Sequence, residues 1–436
     1  MDTSLSTLPA VGRGERAGGR FTIDHTTSLD TRGFAPLEQA RIERLLRFLP
    51  FNLDRTAKAP TDVSGKGNTV RFTVDNASLT VEEYRIDVSP ERVDVRAGSL
   101  DACSLAIATL RQLLPVDSYR HQPSPSTAWD LPCCSIADAP TLAWRGLLLD
   151  VSRHFLPKHG VLRLLERMAD LRLNRLQLHL SDDQGWRFES KRFPLLHERG
   201  SHRTRSQLSH FNEPPVFDET PHGGYYSQDD LREIVAFAAD RAIVVVPEID
   251  LTDSDAIVMA WRGLGIAQRA AAAGRDVILA PVFPLYFDYS QSDDEREPMA
   301  IGGPISLDDV AGFDFSGAGW PDDQRRGVLG AQAQLWTEWV ASEREIDFAL
   351  FPRLCAFAEI AWTGAPAASG FSDRLAAHLQ RFDAAGVEYR ALDGPRQWQE
   401  GGTGHRAHRS PWPLHDMLAR LERAALTGSV AFGGDD

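Results

Sequence analysis

Apolar positions along this chain follow two periods, and their succession predicts the elements. Gly146 to Val151 is a continuous apolar run, as expected of a strand covered on both faces. After Pro157, Val161, Leu164, Leu165, Met168 and Leu171 fall on one stripe of a helix. Leu176, Leu178 and Leu180 then alternate with Gln177 and His179, which predicts a strand with one polar face. These three elements form a strand–helix–strand unit with a right-handed crossover. The pattern repeats downstream. A capping box at Ser227–Asp230 opens a helix that buries Leu231, Ile234, Val235 and Ala238, and Ile243–Ile249 is the next strand. Ala256–Ala260 reads as a strand, 266–273 as a helix, Asp276–Ala280 and Leu329–Leu335 as strands, and Phe351–Ala361 as a helix. Polar residues gather just past the strands: Ser152, Arg153 and His154, then Asp182, Asp183 and Gln184, then Trp336, Thr337 and Glu338. Ligands bind at such strand ends in parallel α/β folds.

The preceding region reads differently. Phe21–Asp24, Thr69–Val74, Tyr84–Val88 and Val93–Arg96 are short alternating strands, and Leu105–Leu114 is a helix that ends at Pro115. Residues 59–67 form a loop, and His121–Thr127, with Pro123 and Pro125, is a linker. The expected domains are therefore 1–140, a small α+β unit; 141–408, a parallel α/β unit; and 409–436, a tail that includes an amphipathic helix at 414–426. Residues 191–226 form a loop too long to be a plain connection.

Composition narrows the class without choosing a function. Among 436 residues, 42% are hydrophobic and 25% charged, the balance of an ordinary globular protein. The net charge of −14 opposes nucleic acid or an anionic membrane as partner. Four cysteines lack metal-ligand spacing and read as reduced, buried thiols. The first residues lack the apolar core of a signal peptide and no long apolar run follows, which predicts a cytoplasmic protein.

The pattern breaks at one place. Asp250 is followed by Leu251, Thr252, Asp253 and Ser254 before the next strand-like run. Neighbouring parallel strands need a crossover of about a dozen residues or more. The two runs are therefore not consecutive neighbours in a regular barrel.

The motifs DVSRHF (Asp150–Phe155), HLSDDQGWR (His179–Arg187), VVPEID (Val245–Asp250) and LWTE (Leu335–Glu338) together resemble the family 20 glycoside hydrolases, the exo-acting β-N-acetylhexosaminidases. The resemblance implies an α/β fold of the (β/α)8 type, here incomplete with about six strands, preceded by a supporting α+β domain. It implies substrate-assisted, retaining hydrolysis, in which the sugar's acetamido oxygen attacks the anomeric carbon. In that family an Asp orients the acetamido group and the adjacent Glu protonates the leaving oxygen. The pair belongs to a His-x-Gly-Gly-Asp-Glu motif within two βα units that follow the Pro-Glu-Ile-Asp strand. This sequence holds no Gly-Gly-Asp-Glu, so the resemblance implies an internal deletion near residue 250 and an inactive or severely impaired enzyme.

Seven residues carry over by motif as sugar contacts: Arg153, Asp182, Trp261, Tyr286, Asp288, Trp336 and Glu338. Some have a plainer reading. Arg153 pairs with Asp150 or Asp182, the tryptophans are core, and Glu338 is a surface carboxylate. No catalytic residue carries over, and Glu248, Asp250, Asp253 and Asp255 read as loop charges rather than replacements. His154, His179 and His202 stand at no recognised metal spacing, so neither metal nor cofactor is implied. The implied partners are N-acetylated amino sugars, chitooligosaccharides or glycan ends, with a homodimer as one way to cover unpaired edge strands. The alternatives are a non-catalytic sugar-binding or interaction module, and a deletion product that folds poorly.

Overall fold

The computed structural model describes residues 5–49, 68–210, 213–248, 257–315 and 320–400. The first unit is a six-stranded sheet built from β1 (Arg13–Thr22), β2 (Ser28–Asp30), β3 (Thr69–Val74), β4 (Tyr84–Val88), β5 (Arg92–Ala97) and β6 (Asp130–Asp138), in the order β1-β6-β4-β5-β3-β2. Helix α2 (Leu100–Leu113) follows β5 and buries Ala102, Leu105, Ala106 and Leu110; α1 (Pro36–Leu45) packs against it. Ser99 caps α2 by accepting the Ala102 N–H at 3.1 Å, so the helix starts earlier than Leu105. Strand β6 is not legible from alternation because Pro132 interrupts it and Cys133 and Cys134 face opposite sides, both buried. All four cysteines are buried and free.

The second unit is a parallel sheet of six strands, half of a (β/α)8-type barrel. Its strands are β7 (Trp144–Asp150), β8 (Arg175–His179), β9 (Val244–Glu248), β10 (Val258–Ala260), β11 (Val277–Leu279) and β12 (Val328–Leu335). Helices α3 (Lys158–Asp170), α4 (Gln228–Asp240), α5 (Leu264–Ala272), α6 (Glu343–Leu350), α7 (Arg353–Thr363) and α8 (Phe371–Ala385) surround it. The order across the sheet is β9-β8-β7-β12-β11-β10. The runs on either side of Asp250 are thus not neighbours; they form the two opposite edges. Only the eight residues 249–256, outside the described residues, join Glu248 to Ile257. A βαβ unit takes about 30 residues, so no further strand and helix fit in that connection. The expected helix at 414–426 and the loop at 59–67 also lie outside the described residues.

The two faces of this sheet are chemically distinct. Leu147, Leu149, Leu176, Leu178, Ala331, Ala333 and Leu335 belong to the buried cluster that also takes in α3 and α7. The opposite face lines the barrel interior and is polar. Gln332 Nε2 donates to Gln177 Oε1 at 2.6 Å, Gln177 Nε2 donates to Glu248 Oε2 at 2.8 Å, and Trp144 Nε1 donates to Gln332 Oε1 at 3.0 Å. The polar face expected for β8 therefore looks inward, with Gln177 and His179 both buried. Gly146 is required at this layer, because a Cβ there would lie 2.5 Å from Gln332 Oε1.

The two units share buried chemistry. Trp362 of α7 inserts into the core of the first unit. Its Nε1 donates to Asp138 Oδ1 at 3.1 Å, and Arg172 pairs with Asp138 Oδ2 at 2.7 Å, both side chains fully buried. Tyr84 Oη donates to the same carboxylate at 2.5 Å. No helix among the described residues is long and apolar enough to cross a membrane.

Candidate functional site

Strand register assembles the site. Asp150 is paired with His179, and His179 with Glu248, at the carboxyl ends of β7, β8 and β9. Trp336 follows the last residue of β12, in register with Asp150. A row of four inward-facing side chains, Glu248, His179, Asp150 and Trp336, thus rims the barrel mouth.

Asp150 is fully buried and fixes the loops around it. Its Oδ1 accepts the N–H groups of Ser152 and Arg153 at 2.8 and 3.1 Å, and its Oδ2 accepts that of Thr337 at 3.2 Å. These bonds tie the turn after β7 to the turn after β12. Thr337 also receives His154: the backbone N–H donates to Thr337 Oγ1 at 3.1 Å, and Nδ1 meets the Thr337 carbonyl at 2.5 Å. Burial holds the His154 imidazole below its usual pKa, so it is neutral at physiological pH.

Arg153 carries both of its proposed assignments at once. It lies on the site and it is paired, at 2.9 Å from Asp182 and 3.4 Å from Asp150, with Nε donating to Gln184 Oε1 at 3.0 Å. Its guanidinium sits 5.1 Å from the centre of the Trp336 ring. His179 stands between two carboxylates, with Nε2 2.9 Å from Asp182 and Nδ1 3.0 Å from Glu248. Both a hydrogen bond and charge link His179 to Glu248. Burial alone would lower the His179 pKa, but Glu248, Asp150 and Asp182 outweigh it and hold the imidazole above its usual value. Burial likewise favours protonation of Glu248, yet His179 and Gln177 hold its carboxyl below the usual range. The two shifts agree on an ion pair.

Tyr286 and Asp288 come from the segment after β11, which lies along β12 where Tyr286 bridges to Gln334. Tyr286 hydrogen-bonds the Trp336 side chain. Asp288 is nine-tenths buried, and neither of its carboxylate oxygens has a hydrogen-bond partner among the described residues. Burial first, and the charge of Glu338 second, push its pKa well above the usual carboxylate value. Glu338 is raised as well, by burial and by Asp150 and Asp182, with Arg153 opposing. Glu338 is not the surface carboxylate of its plainer reading. It lines a cleft of about 300 Å³, with Arg153, His154, Gln184 and Trp339, the size at which small-ligand sites begin (~300–1,000 Å³).

Six of the seven motif residues therefore meet at one rim. Trp261 is apart: it follows β10 at the sheet edge, 36% exposed, with Arg262 4.6 Å from its ring. Among the described residues it shares no hydrogen bond or ring contact with the other six. The rim also holds residues that the motifs did not single out as site residues, namely Asp150, His179 and Glu248, whose common signal is position at a strand end. Arg203, on the long loop, has no periodic signal at all. No group of three or more metal-ligating side chains occurs among the described residues.

The model of the glycosyl hydrolase family 20 catalytic domain matches residues 142–252 and 250–365, and that of domain 2 of the same family matches residues 4–139. The chain belongs to glycosyl hydrolase family 20. A beta-hexosaminidase of Porphyromonas gingivalis is 27% identical over 558 aligned positions, covering 98% of this chain and 68% of the relative. A beta-hexosaminidase of Akkermansia muciniphila is 37% identical over 174 positions, covering 40% of this chain and 32% of its own length. The chain thus spans about two thirds of the first relative and about one third of the second. Among solved family 20 structures, the Streptomyces plicatus N-acetyl-beta-hexosaminidase superposes with a TM-score of 0.73 at 24% identity, over 89% of this chain and 97% of that one. That likeness is one of fold.

Proposed function

We propose that this family 20 protein recognises terminal β-linked N-acetylhexosamine, and that its own hydrolysis is absent or severely impaired. Asp288 and Glu338 would accept sugar hydroxyls, Trp336 would face the ring, Tyr286 would bond the acetamido group, and Arg153 and Asp182 would close the pocket's edge. Burial removes Asp288 from water without giving it a partner, and a hydroxyl donor would supply one.

The loss of hydrolysis rests on one observation. The six-stranded sheet ends at β9 and β10, and the nine residues between them leave no room for the two βα units that carry the family's Asp–Glu pair. Two facts agree with this. The catalytic-domain match is split at residues 250–252, and the alignment with the Porphyromonas relative runs over more positions than this chain has residues. A positioned general acid contributes roughly 10²–10⁴-fold, and orienting the nucleophile adds to it.

The test is release of aryl alcohol from an aryl N-acetyl-β-glucosaminide, beside thermal melts with and without N-acetylglucosamine. The expected result is release at the rate of buffer, and a melting temperature raised by the sugar in the wild type but not in Glu338→Ala. Release well above buffer would overturn the impairment. A melt indifferent to the sugar would overturn the binding site and favour a deletion product without function.

A further inference from the structure

Helix α4 leaves one flank bare among the described residues. Its Ile234 and Ala238 are buried. Asp230 and Glu233 pair with Lys158, and Arg241, just past the helix, pairs with Glu166, so this flank meets α3. Val235 and Ala239, one turn apart, lie on the opposite flank with Ala236 beside them, and all three are exposed. The sequence pattern places Val235 on a buried stripe, yet it is 50% exposed, and Val244 of the adjoining edge strand is 52% exposed. In a regular barrel the helix of the next βα unit stands on this flank. Here nine residues separate β9 from β10, too few for such a unit.

The chain carries a segment suited to that flank. Leu414, Met417, Leu418, Leu421 and Ala425 share one face of the helix expected over 414–426, with Asp416, Arg420 and Arg423 opposite. Pro413 stands just before the stretch and Gly428 just beyond it, which are start and stop signals. Its thirteen residues match the thirteen of α4, about 20 Å of helix in each. A helix of that length is marginal alone in water and takes its stability from packing its apolar face. The described residues end within reach. Trp398 Nε1 donates to Glu388 Oε2 at 2.9 Å, and Glu388 pairs with Arg344 of α6 at 2.9 Å. Glu343 of α6 pairs with Arg163 of α3, and Lys158 of α3 with Glu233 of α4, so the order around the barrel is α6, α3, α4. With neighbouring axes about 8–10 Å apart, the far flank of α4 lies about 30 Å from α6. Residues 401–413, three of them glycine, reach about 43 Å when extended. A segment tethered in this way acts at an effective concentration on the order of millimolar, well above that of a second copy in dilute solution.

We propose that residues 414–426 dock on the bare flank of α4, in the place of the helix that the shortened barrel lacks, with their leucines covering Val235 and Ala239. The contact is helix on helix and adds no strand to β9 or β10. It is independent of the proposed sugar site.

The test is amide hydrogen exchange of the full chain, read by mass spectrometry on peptides from 414–426 and from α4. The amides of 414–426 should exchange at least about tenfold more slowly than those of the same segment as a free synthetic peptide. Val235→Asp, at an exposed position, should remove that protection, and so should Leu421→Asp. A chain ending at Glu400 should exchange faster in α4 than the full chain, and Val235→Asp should add little to that change. Exchange of 414–426 at the free-peptide rate overturns the docking. Protection that survives both Val235→Asp and Ala239→Asp places the segment elsewhere and overturns it as well. Protection that rises with protein concentration assigns the flank to a second copy, again against the proposal. Should the shortened chain fail to fold, the substitutions in the full chain decide alone.

Discussion

At the scale of single residues, two carboxyl groups of the rim, Asp288 and Glu338, are buried at a cost to stability. Asp288 is buried without a partner, and its raised pKa means that folding favours the protonated form. A raised carboxyl stabilises the fold at low pH and loses that contribution as pH rises through its folded value. Asp288→Asn keeps the shape and removes the charge. It should increase the unfolding free energy at neutral pH by on the order of 1 kcal/mol, while abolishing the rise in melting temperature caused by the sugar. Denaturant unfolding and sugar-dependent melts measure the two effects. His179 has the usual sign for a histidine that gains carboxylate neighbours. Its raised pKa gives stability that is complete below about pH 6.5 and is lost as pH rises through the folded value. Glu248 bounds the same pair from below: its lowered pKa gives stability present above the usual carboxylate value and lost as pH falls through the folded one. His179→Gln should therefore flatten the fall in melting temperature as pH rises above about 6.5, and an equally steep fall in the variant would refute the assignment. Motif matching reached Arg153, Asp182, Trp336 and Glu338 because each stands within a short local motif. The pairing of His179 with Glu248 depends on strand register over nearly 70 positions of separation, which no local pattern encodes.

At the scale of elements, legibility followed how much each element relies on its own pattern. Strand β7 and helix α3 bury an apolar run and an apolar stripe, and the structure places both where the pattern does. The capping box at Ser227 forms as its spacing requires, with Ser227 Oγ accepting the Asp230 N–H at 3.1 Å and Asp230 accepting the Ser227 N–H at 3.0 Å. Helix α1 buries only Ile42 and carries little periodicity, whereas α8 buries Phe371, Leu375, Leu379 and Phe382 on one stripe that the sequence does carry. Among the described residues, the edge strands β9 and β10 are hydrogen-bonded on one side only and are less buried than β7 and β8. Native-state amide exchange should be faster at Val244–Glu248 and at Val258–Ala260 than at Leu147–Leu149 by at least about tenfold. Uniform protection across the six strands would show that something covers the edges in solution.

At the scale of the whole molecule, the short connection at Asp250 foretold that the runs on either side of it are not neighbours, and the six strand candidates match the six strands of the sheet. The junction between the two units was invisible, because it is made of single residues far apart in sequence. Removing one partner of a buried ion pair leaves the other charge stranded. Arg172→Met should cost about 3–5 kcal/mol in unfolding free energy, and adding Asp138→Leu should not recover it, because Trp362 Nε1 and Tyr84 Oη then lose the same acceptor. Denaturant titrations of the two singles and the double measure the coupling. A single-variant cost below about 1 kcal/mol would assign the pair no structural role.

The seat of Trp362 has a practical corollary. A plug that belongs to the larger half but completes the interior of the smaller one makes each half an unfinished object when severed. A fragment ending near residue 139 should come out of expression with an empty socket, greasy and prone to clump, and should regain its shape when the remainder is supplied in trans.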